Sequence, residues 1–315
     1  MEYVNKISEK ANVFGDGIAY VQHWDFSRTN MNEESRIAAI TKVASICYDN
    51  PNVVGKESLY NRLAAESMGL PSSSFEFVPV LLPYDTFHEI GTSLVDQPYF
   101  KDRDFTLNIE RYGDWIVEDG EQYLLTNYRA LLYDWENSEL PPEEDFSKFF
   151  NNEYECEIIN KHHNTFLYKM DMNTSKQHNR HRINLQELSR RYVSGKKTEF
   201  EFYISEGMKG IVSTGHHIDG AFTDQGVFIT DPVINVTTEQ IHEICEAHYF
   251  EALKQGVQPQ EARRILPQSM YTTIWSAFLP FQLDNYINLR SDGHAQWEIR
   301  QLSDAMKEMI DAKKS

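Results

Sequence analysis

The densest grouping of side chains able to do chemistry is Gln177-His-Asn-Arg-His-Arg182, followed at once by Ile-Asn-Leu-Gln-Glu-Leu-Ser-Arg-Arg-Tyr192. It puts four Arg and two His within sixteen residues. Guanidinium groups are planar forks of donors that suit phosphates and carbonyl edges, and the hydroxyl of Ser189 adds another phosphate ligand. Two readings are open: a trap for a small anion, or a solvated basic helix face paired with Glu187 and its neighbours. Two more cations stand far along the chain, Arg263 in Glu-Ala-Arg-Arg-Ile-Leu-Pro and Arg290 in Asn288-Leu-Arg-Ser-Asp-Gly-His.

The charge of the whole chain gives that cluster its weight. Against 30 Lys+Arg stand 48 Asp+Glu, a formal net charge of −18 over 315 residues. Such a molecule repels polyanions on average, so neither nucleic acid nor a membrane surface is expected as partner. Cys47, Cys156 and Cys245 are odd in number and lack any CxxC pair, which argues against a disulfide framework and a structural zinc site. His162-His163 and His216-His217 are adjacent, a spacing that seldom points two rings at one ion, and His242 and His248 are six apart rather than four. No metal is expected. Neither a signal peptide nor a membrane span is visible, and a reduced, soluble, cytoplasmic protein is expected.

The elements that must position these residues read as follows. Asn32 with Glu33 and Glu34 marks a helix start, and Ile37, Ile40, Val43, Ala44 and Cys47 recur at helical spacing, predicting a helix over about 33–48. A second is expected near 57–68, ending at Gly69. Ser73 to Leu82 reads as a strand flawed by Pro79. Residues of about 84–150, with Asp119-Gly120 and the acidic turn at 140–145, look inserted. Strand-like alternation returns at 154–159, 165–170 and 198–204. From the capping box Thr237-Thr-Glu-Gln240 the pattern reads helical to the end, closing with a stripe of Ile299, Leu302, Met306, Met309 and Ile310. A strand-rich middle between helical ends, with no GxGxxG, predicts an α+β class.

The Arg180-His181-Arg182 triplet, a short spacer, Ser189 and Arg191-Tyr192 resemble the signature of the flavin-dependent thymidylate synthases. The pieces EARRILP, SMYTT and NLRSDGHAQWEIR look like that family's closing segments, and VASICY and SSSFEFV like its opening helix and first strand. The resemblance implies a single catalytic domain with a central, mainly antiparallel sheet, flanking helices and insertions at about 84–150 and 195–235. It implies conversion of dUMP to dTMP with methylenetetrahydrofolate as carbon donor, FAD as hydride carrier and NADPH as reductant, in a homotetramer with active sites between subunits. Carried over by motif position, Arg180, His181 and Arg182 lie against the flavin, with Arg180 also near the nucleotide and Glu187 beside both. Gln177, Ser189, Arg191 and Arg263 hold dUMP, and Arg290 faces the uracil edge and favours its N3-deprotonated form. Ser73, Glu76 and Asn285 match further flavin-side positions.

The match has departures. Six residues separate Arg182 from Ser189 where the family has seven, Phe77 replaces a His, Cys47 a Ser, and Leu279-Pro-Phe281 an Asn-x-Arg. Transfer of a hydroxymethyl group, action on another pyrimidine nucleotide, or nucleotide binding without catalysis therefore stay open as alternatives. An Asn-x-Arg does occur at Asn127-Tyr128-Arg129. It either supplies FAD contacts from a new direction or simply ends a strand and starts an amphipathic helix.

Overall fold

The computed structural model describes residues 3–65, 71–95, 107–136, 147–191, 193, 195, 199–217 and 233–314. The chain divides into two compact units, the first of Met1–Met170, Thr174–Ser189 and Thr272–Ser315, the second of Asp171–Asn173 and Arg190–Tyr271. In chain order the strands are β1 (Ile7–Phe14), β2 (Ala19–Trp24), β3 (Pro79–Pro83), β4 (Asp114–Glu118), β5 (Glu121–Asn127), β6 (Asn164–Asp171), β7 (Asn184–Glu187), β8 (Val212–His217), β9 (Val233–Thr237) and β10 (Tyr271–Phe278). The helices are α1 (Glu33–Tyr48), α2 (Glu57–Ala64), α3 (Tyr84–Val95), α4 (Asn108–Arg111), α5 (Tyr128–Glu136), α6 (Glu153–His162), α7 (Met172–His178), α8 (Thr238–Lys254), α9 (Pro259–Ala262), α10 (Pro280–Arg290) and α11 (Trp297–Lys314). Helices and antiparallel sheet are mixed, in keeping with the α+β class. No described helix is long and apolar enough to cross a membrane.

In the first unit a five-stranded sheet runs β1-β2-β6-β10-β7, with β1 to β2, β2 to β6 and β10 to β7 antiparallel. A smaller antiparallel sheet runs β3-β5-β4, its β4–β5 hairpin closed by Asp119 and Gly120, both at positive φ (50° and 86°) as a two-residue primed turn requires. Helix α1 starts where Asn32 Oδ1 accepts the Ser35 N–H at 2.9 Å, and it buries Ala39, Ile40, Val43 and Ala44. These join Trp24, Phe26, Phe75, Val80, Leu124, Tyr128 and Trp275 in one apolar cluster. Burial stabilises each of the large side chains by about 1.5–3 kcal/mol. Because Leu107, Leu124, Tyr128 and Leu131 belong to the same cluster, the stretch expected as an insertion at 84–150 is built into this core where it is described.

Four sequence expectations need correction. Residues 73–77 form a 3-10 turn capped by Ser72, and the strand begins only at Pro79, the one strand position where a missing N–H costs least. The alternation at 154–159 belongs to α6, because Asn152 and Glu155 form a reciprocal capping box there. The described part of 198–204 has no strand beyond an isolated Phe202–Met270 bridge. The supposedly all-helical C-terminal stretch contains β10, a strand buried along nearly its whole length. Helix α2 ends at Ala64, and Gly69 lies outside the described residues, as do the acidic turn at 140–145 and Tyr192.

The second unit packs Phe200, Tyr249, Ala262 and Met270 together, with Met172, Phe202 and Phe250 around them. Gly195 fits there only as glycine, since a Cβ would meet the Phe200 and Phe250 rings at 2.8 Å. The Thr237–Gln240 capping box starts α8, and β8 pairs antiparallel with β9.

Strand β3 is completed on its open side by one side chain. Buried Asn151 accepts the Leu81 N–H at 3.3 Å and donates to the Leu81 carbonyl at 3.0 Å, imitating a neighbouring strand, and it also receives the Asn30 amide at 3.2 Å. Asn151→Ala would leave both Leu81 backbone groups and Asn30 without these partners. Its expected cost is about 2–4 kcal/mol in urea unfolding, and a loss below about 0.5 kcal/mol would show that water replaces the amide.

Candidate functional site

Strand β10 organises the chemistry. Thr272, Ile274 and Ser276 share one of its faces by the two-residue strand period, while Trp275 on the other face meets Trp24 at 5.0 Å and Phe26 at 5.6 Å. Thr272 donates to Glu187 Oε1 at 3.0 Å, and Ser276 bonds His178 at 2.7 Å. Those two contacts bracket the cationic segment. Gln177 and His178 end α7, residues 179–183 turn, and Asn184–Glu187 form β7 against β10. Arg180, His181 and Arg182 therefore lie in a loop, so the helix-face reading does not hold. Glu187 does not neutralise them either: its described partners are Thr272 and the Asn179 amide at 3.3 Å, and burial pushes its pKa up despite these hydrogen bonds.

Helix α10 delivers Arg290 to this loop. Arg290 Nε donates to His181 Nε2 at 2.7 Å, and Nη2 donates to the Gln177 carbonyl at 2.8 Å. Since His181 Nε2 accepts, its proton sits on Nδ1. Partial burial and then the charge of Arg290 drive the His181 pKa down to about 4, so the ring is neutral at physiological pH. An arginine has five N–H donors, so three remain without a partner among the described residues. Arg180 and Arg182 are exposed, and neither side chain has a described acidic partner.

A second group lies on the same unit. Ser73 donates to Gln186 Oε1 at 3.0 Å, Gln186 donates to Cys47 Sγ at 2.8 Å, and Asn184 donates to the Glu76 carbonyl at 3.1 Å. Glu76 pairs with Arg129 at 2.6 Å, and burial raises the Glu76 pKa against that cation. Asn127 ends β5 and accepts the Ala130 N–H at 3.0 Å, capping α5. It thus ends a strand and starts a helix, and that helix carries Arg129 onto Glu76.

Gln177, Arg180, His181, Arg182, Glu187, Ser189 and Arg290 all belong to the first unit, as do Ser73, Glu76, Asn127, Arg129 and Asn285. Asn285 is exposed on α10. Arg191 and Arg263 belong to the second unit. The sequence gives no individual role to His178, Asn179, Thr272, Ser276 or Tyr286. Of these only Tyr286, one helical turn before Arg290, carried a usable signal. Among the described residues no cluster of His, Cys, Asp and Glu could hold a metal ion. His162 bonds Glu118 at 2.6 Å while burial takes the neighbouring His163 pKa down to about 3.

Residues 140–313, more than half of the chain, match the family model of the thymidylate synthase complementing protein. A flavin-dependent thymidylate synthase of Thermotoga neapolitana is 32% identical over 147 residues, 46% of this chain and 60% of that protein. The enzyme of the same name from Thermosipho africanus is 34% identical over 139 residues, 44% of this chain and 58% of its own length. That of Aquifex aeolicus is 30% identical over 149 residues, 46% of this chain and 44% of its own length. The chain thus spans about half the length of these curated relatives. The family match includes the loop and Arg290, whereas Ser73, Glu76, Asn127 and Arg129 lie before it.

The Arg290–His181 contact makes a prediction with a definite sign. Arg290→Ala removes a cation and admits water, both of which favour the charged imidazole. The His181 pKa is expected to rise from about 4 toward an ordinary value of about 6.5, read by NMR titration of histidine-labelled protein. Titration still near 4 would mean that Arg290 does not perturb the ring.

Proposed function

We propose that this chain, which belongs to the thymidylate synthase complementing protein family, converts dUMP to dTMP with methylenetetrahydrofolate as carbon donor. The reading includes FAD, NADPH as reductant, and a homotetramer with active sites between subunits. One observation carries it above the others: Arg290 is held by a neutral imidazole and a carbonyl, so its charge and three of its donors stay available. A permanently cationic fork of this kind suits a uracil edge. It would stabilise the negative charge that develops on the ring when C5 becomes nucleophilic, and water exclusion would enlarge the effect. The family resemblance also assigns nucleotide contacts to Gln177, Ser189, Arg191 and Arg263.

The donor set also fits a flavin. Arg180 and Arg182 are exposed cations without described acidic partners in a chain of net charge −18, which favours a diphosphate over a protein carboxylate. They would hold FAD together with His181, Ser73, Glu76 and Asn285, while Asn127 and Arg129 would act through Glu76. Bound there, the flavin would carry a hydride from NADPH to the new one-carbon unit. The protein's part is to orient the nucleotide, keep His181 neutral, and leave the thiol of Cys47 unused, since Gln186 and the Glu187 carbonyl already engage it.

Purified protein is expected to be yellow, to bleach under NADPH, and to form dTMP from dUMP and methylenetetrahydrofolate. Arg290→Ala should lower that turnover by about 100-fold or more. Hydroxymethylated nucleotide as the sole product, or full turnover without the Arg290 guanidinium, would overturn the reading.

A further inference from the structure

His178 closes α7 with no solvent exposure. Its Nδ1 is 2.8 Å from the Tyr286 hydroxyl and its Nε2 2.7 Å from the Ser276 hydroxyl, and all three residues are fully buried. Tyr168 packs on the ring at 4.8 Å and sends its own hydroxyl to Met306 Sδ. Burial first, then the neighbouring His181 and Arg290, take the His178 pKa down to about 3, so the imidazole is neutral at physiological pH. A neutral ring has one N–H and one lone pair, so in either tautomer it donates to one hydroxyl and accepts from the other. The proposed reaction makes no direct use of this ring. Yet two residues within three positions of it, Gln177 and His181, hold Arg290.

The connections are short. The Gln177 carbonyl accepts from Arg290 Nη2, and the His178 carbonyl accepts the His181 N–H at 3.2 Å. His181 then accepts from Arg290 Nε, and its ring lies 4.6 Å from that of Tyr286. Tyr286 and Arg290 are one turn apart on α10, on the same side of that helix. The His178–Tyr286 bond therefore crosses between α7 and α10 at the level of both Arg290 contacts. The geometry points to His178 as a positioning residue for Arg290: through Tyr286 and Ser276 it fixes the end of α7 against α10 and β10, and thereby the carbonyl and the imidazole that aim the guanidinium.

The physical reason is directionality. Apolar packing alone would hold α7 near α10 but lets helices slide by fractions of an ångström, whereas a buried hydrogen bond at each ring nitrogen sets both distance and rotation. A misplacement of about 1 Å is enough to cost a reaction about 100-fold. The inference rests on the reading of Arg290 as the group that faces the pyrimidine.

The test uses flavin-loaded protein and three variants. Tyr286→Phe deletes a single oxygen and is the decisive one; His178→Phe removes both bonds; His178→Asn restores a donor and an acceptor on a shorter stem. Tyr286→Phe and His178→Phe are expected to lower kcat roughly 10- to 100-fold with KM for dUMP changed far less, and with flavin occupancy as in the parent. His178→Asn should recover much of that loss, which a residue serving only as core filler would not do. A crystal structure of Tyr286→Phe should show Arg290 Nε displaced from His181 Nε2. A parental kcat and KM in Tyr286→Phe, or an Arg290 left at its 2.7 Å contact, overturns the proposal. Parent protein with no dUMP turnover would instead count against the proposed function, and the displacement in the crystal would still decide the positioning role.

Discussion

Arg290 keeps its charge because what it touches has none. A guanidinium on a carboxylate is a neutralised fork, while one on an imidazole lone pair and a carbonyl is oriented and still cationic. The arrangement is self-consistent, since the cation is one of the two causes that hold His181 neutral, and a neutral His181 is what can accept from the cation. Two unit charges 4 Å apart in a partly buried setting interact with about 4 kcal/mol, so a protonated His181 beside Arg290 would not stay there. In a chain with 48 acidic residues, finding none of the described ones on this arginine is a specific outcome. Glu187, the one acid in the 177–192 motif, is occupied by two neutral donors instead.

That outcome depends on β10. A hydroxyl in a buried strand is costly unless it is bonded, and Thr272 and Ser276 meet that requirement through Glu187 and His178, one on each side of the loop. The opposite face of the strand places Trp275 edge-on to Trp24 and Phe26. One strand thus links the apolar core to the polar site, so the loop inherits the rigidity of the core rather than the freedom expected of a surface turn.

How much of this was legible in the sequence varied with the physics of each element. Helix α1 was legible because Asn32, Glu33 and Glu34 act locally, and so was the start of α8, where Thr237 and Gln240 satisfy each other three residues apart. Helix α6 reads as a strand because Tyr154 to Ile159 alternates in polarity, while its deciding signal, the capping box of Asn152 with Glu155, begins before that stretch. Strand β10 was missed for the opposite reason: buried on both faces, it shows no alternation, and helical segments surround it. The cationic cluster was legible as composition but not as a loop, because only pairing with β10 makes 184–187 a strand. The pairing of His178 with Tyr286 was illegible, since a lone His is ordinary core material until three dimensions bring the two within 2.8 Å.

The stretch from α3 through α5, where it is described, illustrates what an apparent insertion can do. Leu124, Tyr128 and Leu131 pack in the same cluster as Ile40 and Phe75, so this segment cannot move without opening the main core. Its contribution to the site is Arg129, which holds Glu76 and also donates to the Pro71 carbonyl at 2.8 Å. The turn at 73–77 is then tied to β7 by Asn184 on the Glu76 carbonyl and Ser73 on Gln186, and β7 to α1 by Gln186 on Cys47. Each bond is worth only about 1 kcal/mol, but together they remove the sliding freedom of three separate elements. A segment placed this way sets the geometry in advance of any ligand, and preset geometry is what electrostatic stabilisation of a developing charge requires.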